Sequence, residues 1–328
     1  MPHPPGFWRH NGGTVLPRLL SPIAAAVAGY TARRMAGPGW CAPVPVICCG
    51  NATVGGAGKT TLALDILARL ASRGLAVHAL LRGYGGSSRG VRRVSAGDPA
   101  SLAGDEALLL AAVAPTWTGA DRAASARAAL AAGAQALVMD DGLQNPTLEK
   151  SFSILTIDGA FGFGNGRVLP AGPLREPVAA GAARCHAAVL IGPDATDAVS
   201  QLPPGLAVLR ARLVPGAEIA AHVGARVLAF AGIAAPEKFF AGLEQAGVRV
   251  AERLPFPDHH PFTERELHRI VARARALNIR PVTTPKDAVR IPAALRAEFD
   301  VIGVGLQWQD PSAIEALLSS LPWPKRAE

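Results

Sequence analysis

Gly50-Asn51-Ala52-Thr53-Val54-Gly55-Gly56-Ala57-Gly58-Lys59-Thr60-Thr61 joins an apolar run, Val44 to Cys49, to a segment, Leu62 to Leu70, whose apolar residues recur at helical spacing. The glycines therefore fall at a strand-to-helix turn, where a phosphate-binding loop belongs. Backbone N–H groups of such a turn, with the positive end of the helix, bind phosphate oxygens. Lys59 is spaced to reach β and γ phosphates and the Thr60 hydroxyl to hold Mg²⁺, so a nucleotide is implied. The match has one departure: Thr53 stands five residues ahead of Gly58, where the general pattern has glycine. Gly55, Gly56 and Gly58 still supply the tight turn.

Working outward, Leu75 to Leu81 reads as a second strand ending at the glycine-rich Arg82-Gly83-Tyr84-Gly85-Gly86. Loops at strand ends form the ligand crevice of open parallel sheets. Asp105 to Ala114 reads as a helix with acids in its first turn, and Ala123 to Ala132 as an alanine-rich helix. A short strand, Ala136 to Met139, then feeds Asp140-Asp141-Gly142, the arrangement by which a phosphate-loop fold presents a carboxylate to Mg²⁺. Strand Ser153 to Ile157 is followed by a long Gly- and Pro-rich loop, Gly159 to Pro177, of the kind that is usually functional or mobile. Strands Ala187 to Ile191 and Ala207 to Leu213 complete the first unit.

Around Pro215-Gly216 the pattern restarts. Strand Arg226 to Ala231, helix Pro236 to Ala246, strand Arg249 to Leu254, helix Thr263 to Leu277 and strands Arg280 to Thr283 and Val301 to Gly303 form a second, smaller α/β unit. The expected organisation is an amino-terminal apolar and basic helix over 1–36, a P-loop domain over 37–214 and a smaller α/β domain over 215–328. With 328 residues, 49% of them hydrophobic and a mean hydropathy of +0.23, the chain is globular with room for two cores.

A net charge of +8 and a pI near 9.9 favour anionic partners. Only 5% of residues are aromatic and no basic cluster is interleaved with them, so no nucleic-acid partner is expected. Cys41, Cys48, Cys49 and Cys185 fit no zinc spacing and point to a reduced, cytosolic setting, with Cys48 and Cys49 as packing residues in the first strand. Leu19 to Ala32 is uncharged, interrupted by Pro22 and flanked by Arg18, Arg33 and Arg34. At fourteen residues it is shorter than the roughly 20 a spanning helix needs, leaving a helix at the membrane interface or one packed on the core.

Two further groups carry little alone. Asp105 at a helix start reads as a cap. His259 and His260, in Pro257-Asp258-His259-His260-Pro261-Phe262-Thr263-Glu264, read as loop residues before a helix that Thr263 and Glu266 would cap.

Taken together, GNATVGGAGKTT, RGYGG, GDEALLLA, VMDDGLQN, FGNGRVLPAGPLREP, FPDHHPFT and TTPKDAVR, in that order from about Leu16 to Ile302, resemble the tetraacyldisaccharide 4'-kinase family, the lipid A 4'-kinases of Gram-negative bacteria. The resemblance implies an α/β/α sandwich of P-loop NTPase type, a smaller α/β domain and an amino-terminal helix that contacts the membrane. It implies a monomeric, peripheral enzyme on the cytoplasmic face of the inner membrane. That enzyme moves the γ-phosphate of ATP to the 4'-hydroxyl of tetraacyldisaccharide 1-phosphate, with Mg²⁺ and an anionic membrane surface as partners.

Carried over by motif, Thr53, Val54, Gly55, Gly56, Ala57, Gly58, Lys59, Thr60 and Thr61 form the ATP loop, with Gln144 and Arg175 lining the nucleotide site. Thr60, Asp140, Asp141 and Glu176 are the expected metal set. Asp105 matches the family's catalytic carboxylate and His259 the histidine that pairs with it, with Lys59 the third member of the reacting group. Asp105 lies in the first domain and His259 in the second, so closing the cleft completes the site. Asn145, Pro285 and Thr61 depart from the family's usual residues.

Two other classes fit less well. A deviant-Walker membrane switch places a lysine before the paired glycines, where this chain has Val54, and a GTP-binding metallochaperone needs an Asn-Lys-x-Asp that Pro285-Lys286-Asp287 does not supply.

Overall fold

The apolar run before the glycine loop forms strand β1 (Val46–Gly50), buried along its whole length. The computed structural model describes residues 5–9, 15–87, 90–95, 97–321 and 323. The remaining strands are β2 (Val77–Leu81), β3 (Arg92–Arg93), β4 (Thr116–Thr118), β5 (Ala136–Asp140), β6 (Phe152–Asp158), β7 (Ala187–Ile191), β8 (Ala207–Pro215), β9 (Arg226–Ala231), β10 (Arg249–Pro255), β11 (Arg280–Thr283), β12 (Asp300–Val301) and β13 (Val304–Trp308). The helices are α1 (Val15–Met35), α2 (Lys59–Ser72), α3 (Ala100–Ala103), α4 (Asp105–Ala111), α5 (Arg122–Ala131), α6 (Val178–Ala182), α7 (Pro236–Gln245), α8 (Glu264–Ala276), α9 (Pro285–Ala288) and α10 (Pro311–Ser319).

Nine strands make one sheet in the order β13-β8-β7-β6-β1-β5-β2-β4-β3, parallel except for the edge strands β13 and β3. Side chains alternate across it. Ile47 and Cys49 of β1 face a core shared with Leu62, Ile66 and Leu70 of α2 and Ile314 and Leu318 of α10. Val46 and Cys48 face Ala126 and Ala129 of α5, Ala182 of α6 and Ala24 of α1. Both cysteines are fully buried, and burial pushes the Cys48 thiol up to about 12, so they pack rather than react. From β1 the chain crosses toward β2, and from β6 it runs the other way to β7, which opens a crevice at the carboxyl ends of these neighbours.

The smaller sheet, β10-β9-β11-β12, is wholly parallel. Phe240 and Leu243 of α7 cover one face; Leu267, Ile270 and Val271 of α8 cover the other. The capping box expected at Thr263 and Glu266 is formed.

Two expectations need correcting. The second unit does not run to the carboxyl end. β13 returns to the large sheet and pairs antiparallel with β8, Val304 against Pro215 through Trp308 against Ala211. Trp308, Ile314 and Leu318 then enter the large core, and Glu315 of α10 binds Arg69 and Arg73 of α2. An edge strand whose partner lies some ninety residues back carries no local signal.

The amino-terminal helix lies within the expected 1–36 but is longer than the uncharged fourteen residues, so the judgement that it is too short to span a membrane does not hold. It runs through Arg18, Arg33 and Arg34 for 21 residues, about 31 Å. By length and composition alone it could cross a membrane. It instead lies along the large domain, with Ala24 buried, Leu20, Val27 and Ala28 against the core, and Arg167 Nη1 donating to Ser21 Oγ at 3.0 Å. Lys325 and Arg326, the basic tail, lie outside the described residues.

Candidate active site

The glycine loop takes left-handed backbone at Gly55 (φ 110°) and at Gly58 (φ 82°), which caps α2. Thr53 needs no such conformation, and its hydroxyl accepts from Asn51 Nδ2 at 3.2 Å, so threonine fits where the general pattern has glycine. The long loop after β6 clasps the turn: Val54 N–H donates to Pro173 O at 2.8 Å and Arg175 N–H to Ala52 O at 2.7 Å. Lys59 is nearly buried, donates to Gly55 O at 3.3 Å and lies 3.7 Å from Asp141 Oδ1. Burial draws its ammonium below the ordinary lysine range, with Asp141 opposing that shift.

The paired aspartates occupy different surroundings. Asp140 Oδ2 accepts from Thr60 Oγ1 at 2.9 Å, while Oδ1 is buried with no hydrogen-bond partner among the described residues. Burial, then the Asp141 charge, pushes Asp140 up to about 6. A buried, unpartnered carboxylate oxygen beside a hydroxyl is a hard-oxygen pair that fits Mg²⁺. Asp141 instead takes a forked pair of bonds from Arg175, 2.6 and 3.0 Å. Burial raises its pKa, but Lys59 and Arg175 outweigh that and hold it below the usual carboxylate range.

Gln144 links this group to the next: its Oε1 accepts from Arg175 Nη1 at 3.3 Å and its Nε2 donates to Asn51 O at 3.0 Å and Glu176 Oε1 at 2.8 Å. Glu176 does not join Thr60 and Asp140. Both its oxygens accept from Arg184 Nη2 at 2.7 Å, and one of them from Gln144, while Thr60 and Asp140 meet directly with Asp141 beside them. Ala57 is buried at the base of the loop, Gly56 is exposed, and Thr61 is in the first turn of α2.

Across the cleft, Asp105 opens α4 and is almost buried. His259, 154 residues further on, sits with its Nδ1 2.7 Å from Asp105 Oδ2 and its Nε2 3.8 Å from Asp258. This contact joins the two domains. His259 has φ 57°, a left-handed backbone uncommon outside glycine and a mark of an over-determined position. Its Asp105 hydrogen bond raises its pKa against the pull of burial, with Asp258 adding to the rise. For Asp105, burial acts upward, but bonds from His259 and Arg290 outweigh it, so the carboxyl lies below its ordinary range and is ionised at neutral pH.

Lys286 Nζ bonds Glu106 Oε1 at 2.8 Å alongside. The Glu106 charge acts on Asp140 and the Lys286 charge on Lys59, so this cluster lies within electrostatic reach of the phosphate loop. His260 faces elsewhere, stacked on Phe256 and 3.2 Å from Glu266.

Gly104 sets the aim of Asp105. It has φ 87° and ψ 150°, and a Cβ there would lie 2.5 Å from Tyr84 O. Gly104→Ala is expected to cost about 1–3 kcal/mol in denaturant unfolding and to lower kcat while the ATP KM stays near normal.

Sequence reading missed Arg290, whose guanidinium meets Asp105 from 185 positions away, and Arg184 behind Glu176. It also missed Arg122 at the start of α5, buried, with burial drawing it down to about 10 against the support of Asp141. Arg290 lies in the quoted TTPKDAVR run, but nothing local says which carboxylate it serves. Pro285 is at the first position of α9, where proline fits.

A family model described as Tetraacyldisaccharide-1-P 4'-kinase matches residues 16–322. The tetraacyldisaccharide 4'-kinase of Gluconacetobacter diazotrophicus is 56% identical over 317 residues, covering 96% of this chain and 97% of that one. That of Rhodospirillum centenum is 53% identical over 323 residues, covering 97% and 96%. A solved structure of LpxK from Aquifex aeolicus in complex with ATP superposes with a TM-score of 0.74 at 25% identity, covering 93% of this chain and 99% of that one. The loop, the aspartate pair and the interdomain pair thus lie in a chain that belongs to the tetraacyldisaccharide-1-P 4'-kinase family.

Proposed function

We propose that this chain moves the γ-phosphate of ATP to the 4'-hydroxyl of tetraacyldisaccharide 1-phosphate, with Asp105 taking the hydroxyl proton. Family membership over nearly the whole chain supports the reaction. The observation that carries the mechanism is the 2.7 Å contact of Asp105 with His259 across the cleft. A sugar hydroxyl is a poor nucleophile at neutral pH, and an ionised carboxylate close to it accepts the proton as the new oxygen–phosphorus bond forms. The β–γ bridging bond breaks and ADP leaves. Lys59 and the loop N–H groups hold the charge that develops on the phosphate oxygens. Thr60 and Asp140 would hold Mg²⁺, which when bound neutralises phosphate charge. His259 orients Asp105, and Arg175 is fixed by Asp141 and Gln144 beside Lys59.

The acyl chains of such a substrate stay in a bilayer, and α1 presents a surface suited to one. Leu16, Leu19 (71% exposed), Ile23 (54%) and Tyr30 recur at helical spacing on its outer side, with Arg18, Arg33 and Arg34 available to anionic headgroups. This supports a peripheral enzyme on the cytoplasmic face of the inner membrane, where ATP is supplied. One chain contributes every group named above, which supports action as a monomer. Leu19→Asp with Ile23→Asp is expected to cut pelleting with anionic vesicles about tenfold or more and to leave micellar kcat within about twofold. Unchanged pelleting would assign membrane contact to another surface.

Incubation with γ-labelled ATP and tetraacyldisaccharide 1-phosphate in micelles tests the reaction itself. Label at the 4' position is expected; ATP hydrolysis with no lipid product would count against it.

A further inference from the structure

Arg290 follows α9 in the small domain, with its side chain only 6% exposed. Its Nε donates to Asp105 Oδ2 at 3.0 Å and its Nη2 lies 2.9 Å from the same oxygen. Its Nη1 donates to Gly232 O at 3.1 Å and His260 O at 3.3 Å. Gly232 O also accepts the backbone N–H of His259 at 3.0 Å, so one guanidinium touches both the side chain of Asp105 and the backbone on which His259 sits. On its other side is Asp287, fully buried and 3.3 Å from Nη1, with Asp287 Oδ1 accepting from Gly232 N–H and Oδ2 from Thr284. All contacts to the Asp105 carboxylate, from His259 and Arg290 alike, fall on Oδ2; among the described residues no hydrogen bond reaches Oδ1.

We infer that Arg290 is a positioning residue for phosphoryl transfer: it fixes Asp105 Oδ2 and the His259 loop together, leaving Oδ1 turned to the acceptor hydroxyl. This rests on Asp105 being the base. His259 alone could pivot the carboxylate about its single bond; a second donor on the same oxygen removes that freedom. The Arg290 charge also keeps the carboxylate ionised. The charged groups around Asp105 are Glu106 on its own helix, His259 and Asp258 on the facing loop, and Lys286, Asp287 and Arg290 from α9 and its end.

The test is the pH profile of kcat/KM for the lipid acceptor in Arg290→Gln and Arg290→Lys, with Asp105→Asn run beside them. Arg290→Gln is expected to lose about 10- to 100-fold in kcat, with the ATP KM within about twofold, because a small misplacement of a reacting group costs that much. Its acid limb moves to higher pH, since removing a positive charge makes Asp105 easier to protonate. Arg290→Lys keeps the charge, so its acid limb stays in place, while a single ammonium cannot hold both Asp105 and the Gly232 and His260 carbonyls, so kcat still falls about tenfold or more. An unmoved acid limb in Arg290→Gln, or parent-like kcat in Arg290→Lys, overturns the role given to Arg290. If Arg290→Gln does not fold, Arg290→Lys decides alone, and a shifted limb or an unchanged kcat overturns it. Turnover retained in Asp105→Asn would instead remove the base assignment on which the inference rests.

Discussion

Asp105→Ala is expected to lower kcat by about 10²–10⁴, the range supplied by a positioned general base, while the ATP KM changes by less than about threefold. The split follows from position. Asp105 opens α4 and, among the described residues, its side chain bonds only His259 and Arg290, whereas ATP contacts are assigned to the loop ahead of α2 and to Arg175. The substitution leaves Arg290 buried against Asp287 and His259 against Asp258, so neither side chain is stranded without a carboxylate neighbour. Turnover near the parent's would remove Asp105 from the base role. A raised ATP KM with unchanged kcat would make it a binding group instead.

Lys59→Ala is the second large effect. Its ammonium is the buried cation of the phosphate loop, and removing one such group from a water-poor site costs about 10²–10³ in kcat. Stability should not follow activity. Burial works against the charged form of Lys59, and Asp141 keeps its forked bonds to Arg175 when Lys59 is gone. The expected result is a folded protein with a parent-like melting curve and almost no transfer of label. A variant that both melts early and binds no ATP would point to Lys59 as a structural support of the loop.

What the sequence made legible was local. Val46–Gly50, the glycine turn and α2 were readable because a strand, a turn and a helix each announce themselves within a few residues. Asp140-Asp141 was legible as a strand end, but their division was not: the sequence cannot say that Arg175 takes Asp141 and leaves Asp140 to Thr60. Read alone, Asp105 was a helix cap and His259 a loop residue; only the family resemblance paired them, since 154 residues separate them in the chain. The motif that places Glu176 in the expected metal set does not say that Arg184, eight residues on and just past the end of α6, bonds both its oxygens. β13 and Arg290 were missed for the same reason: each matters only through a partner that the fold brings from far away. The spanning length of α1 is understated by counting uncharged residues, which stops at Arg18 and Arg33, while a helix can carry arginines at its ends.

The central claim is that one reacting group is assembled from two domains. A double-mutant cycle on Asp105→Ala and His259→Ala, read as kcat for labelled phosphate transfer to the lipid, tests it most directly. If the pair acts as a unit, the double variant is about as slow as Asp105→Ala alone, because the loss of Asp105 already removes what His259 orients. If the two losses multiply, the residues act independently and the interdomain pair is not the base.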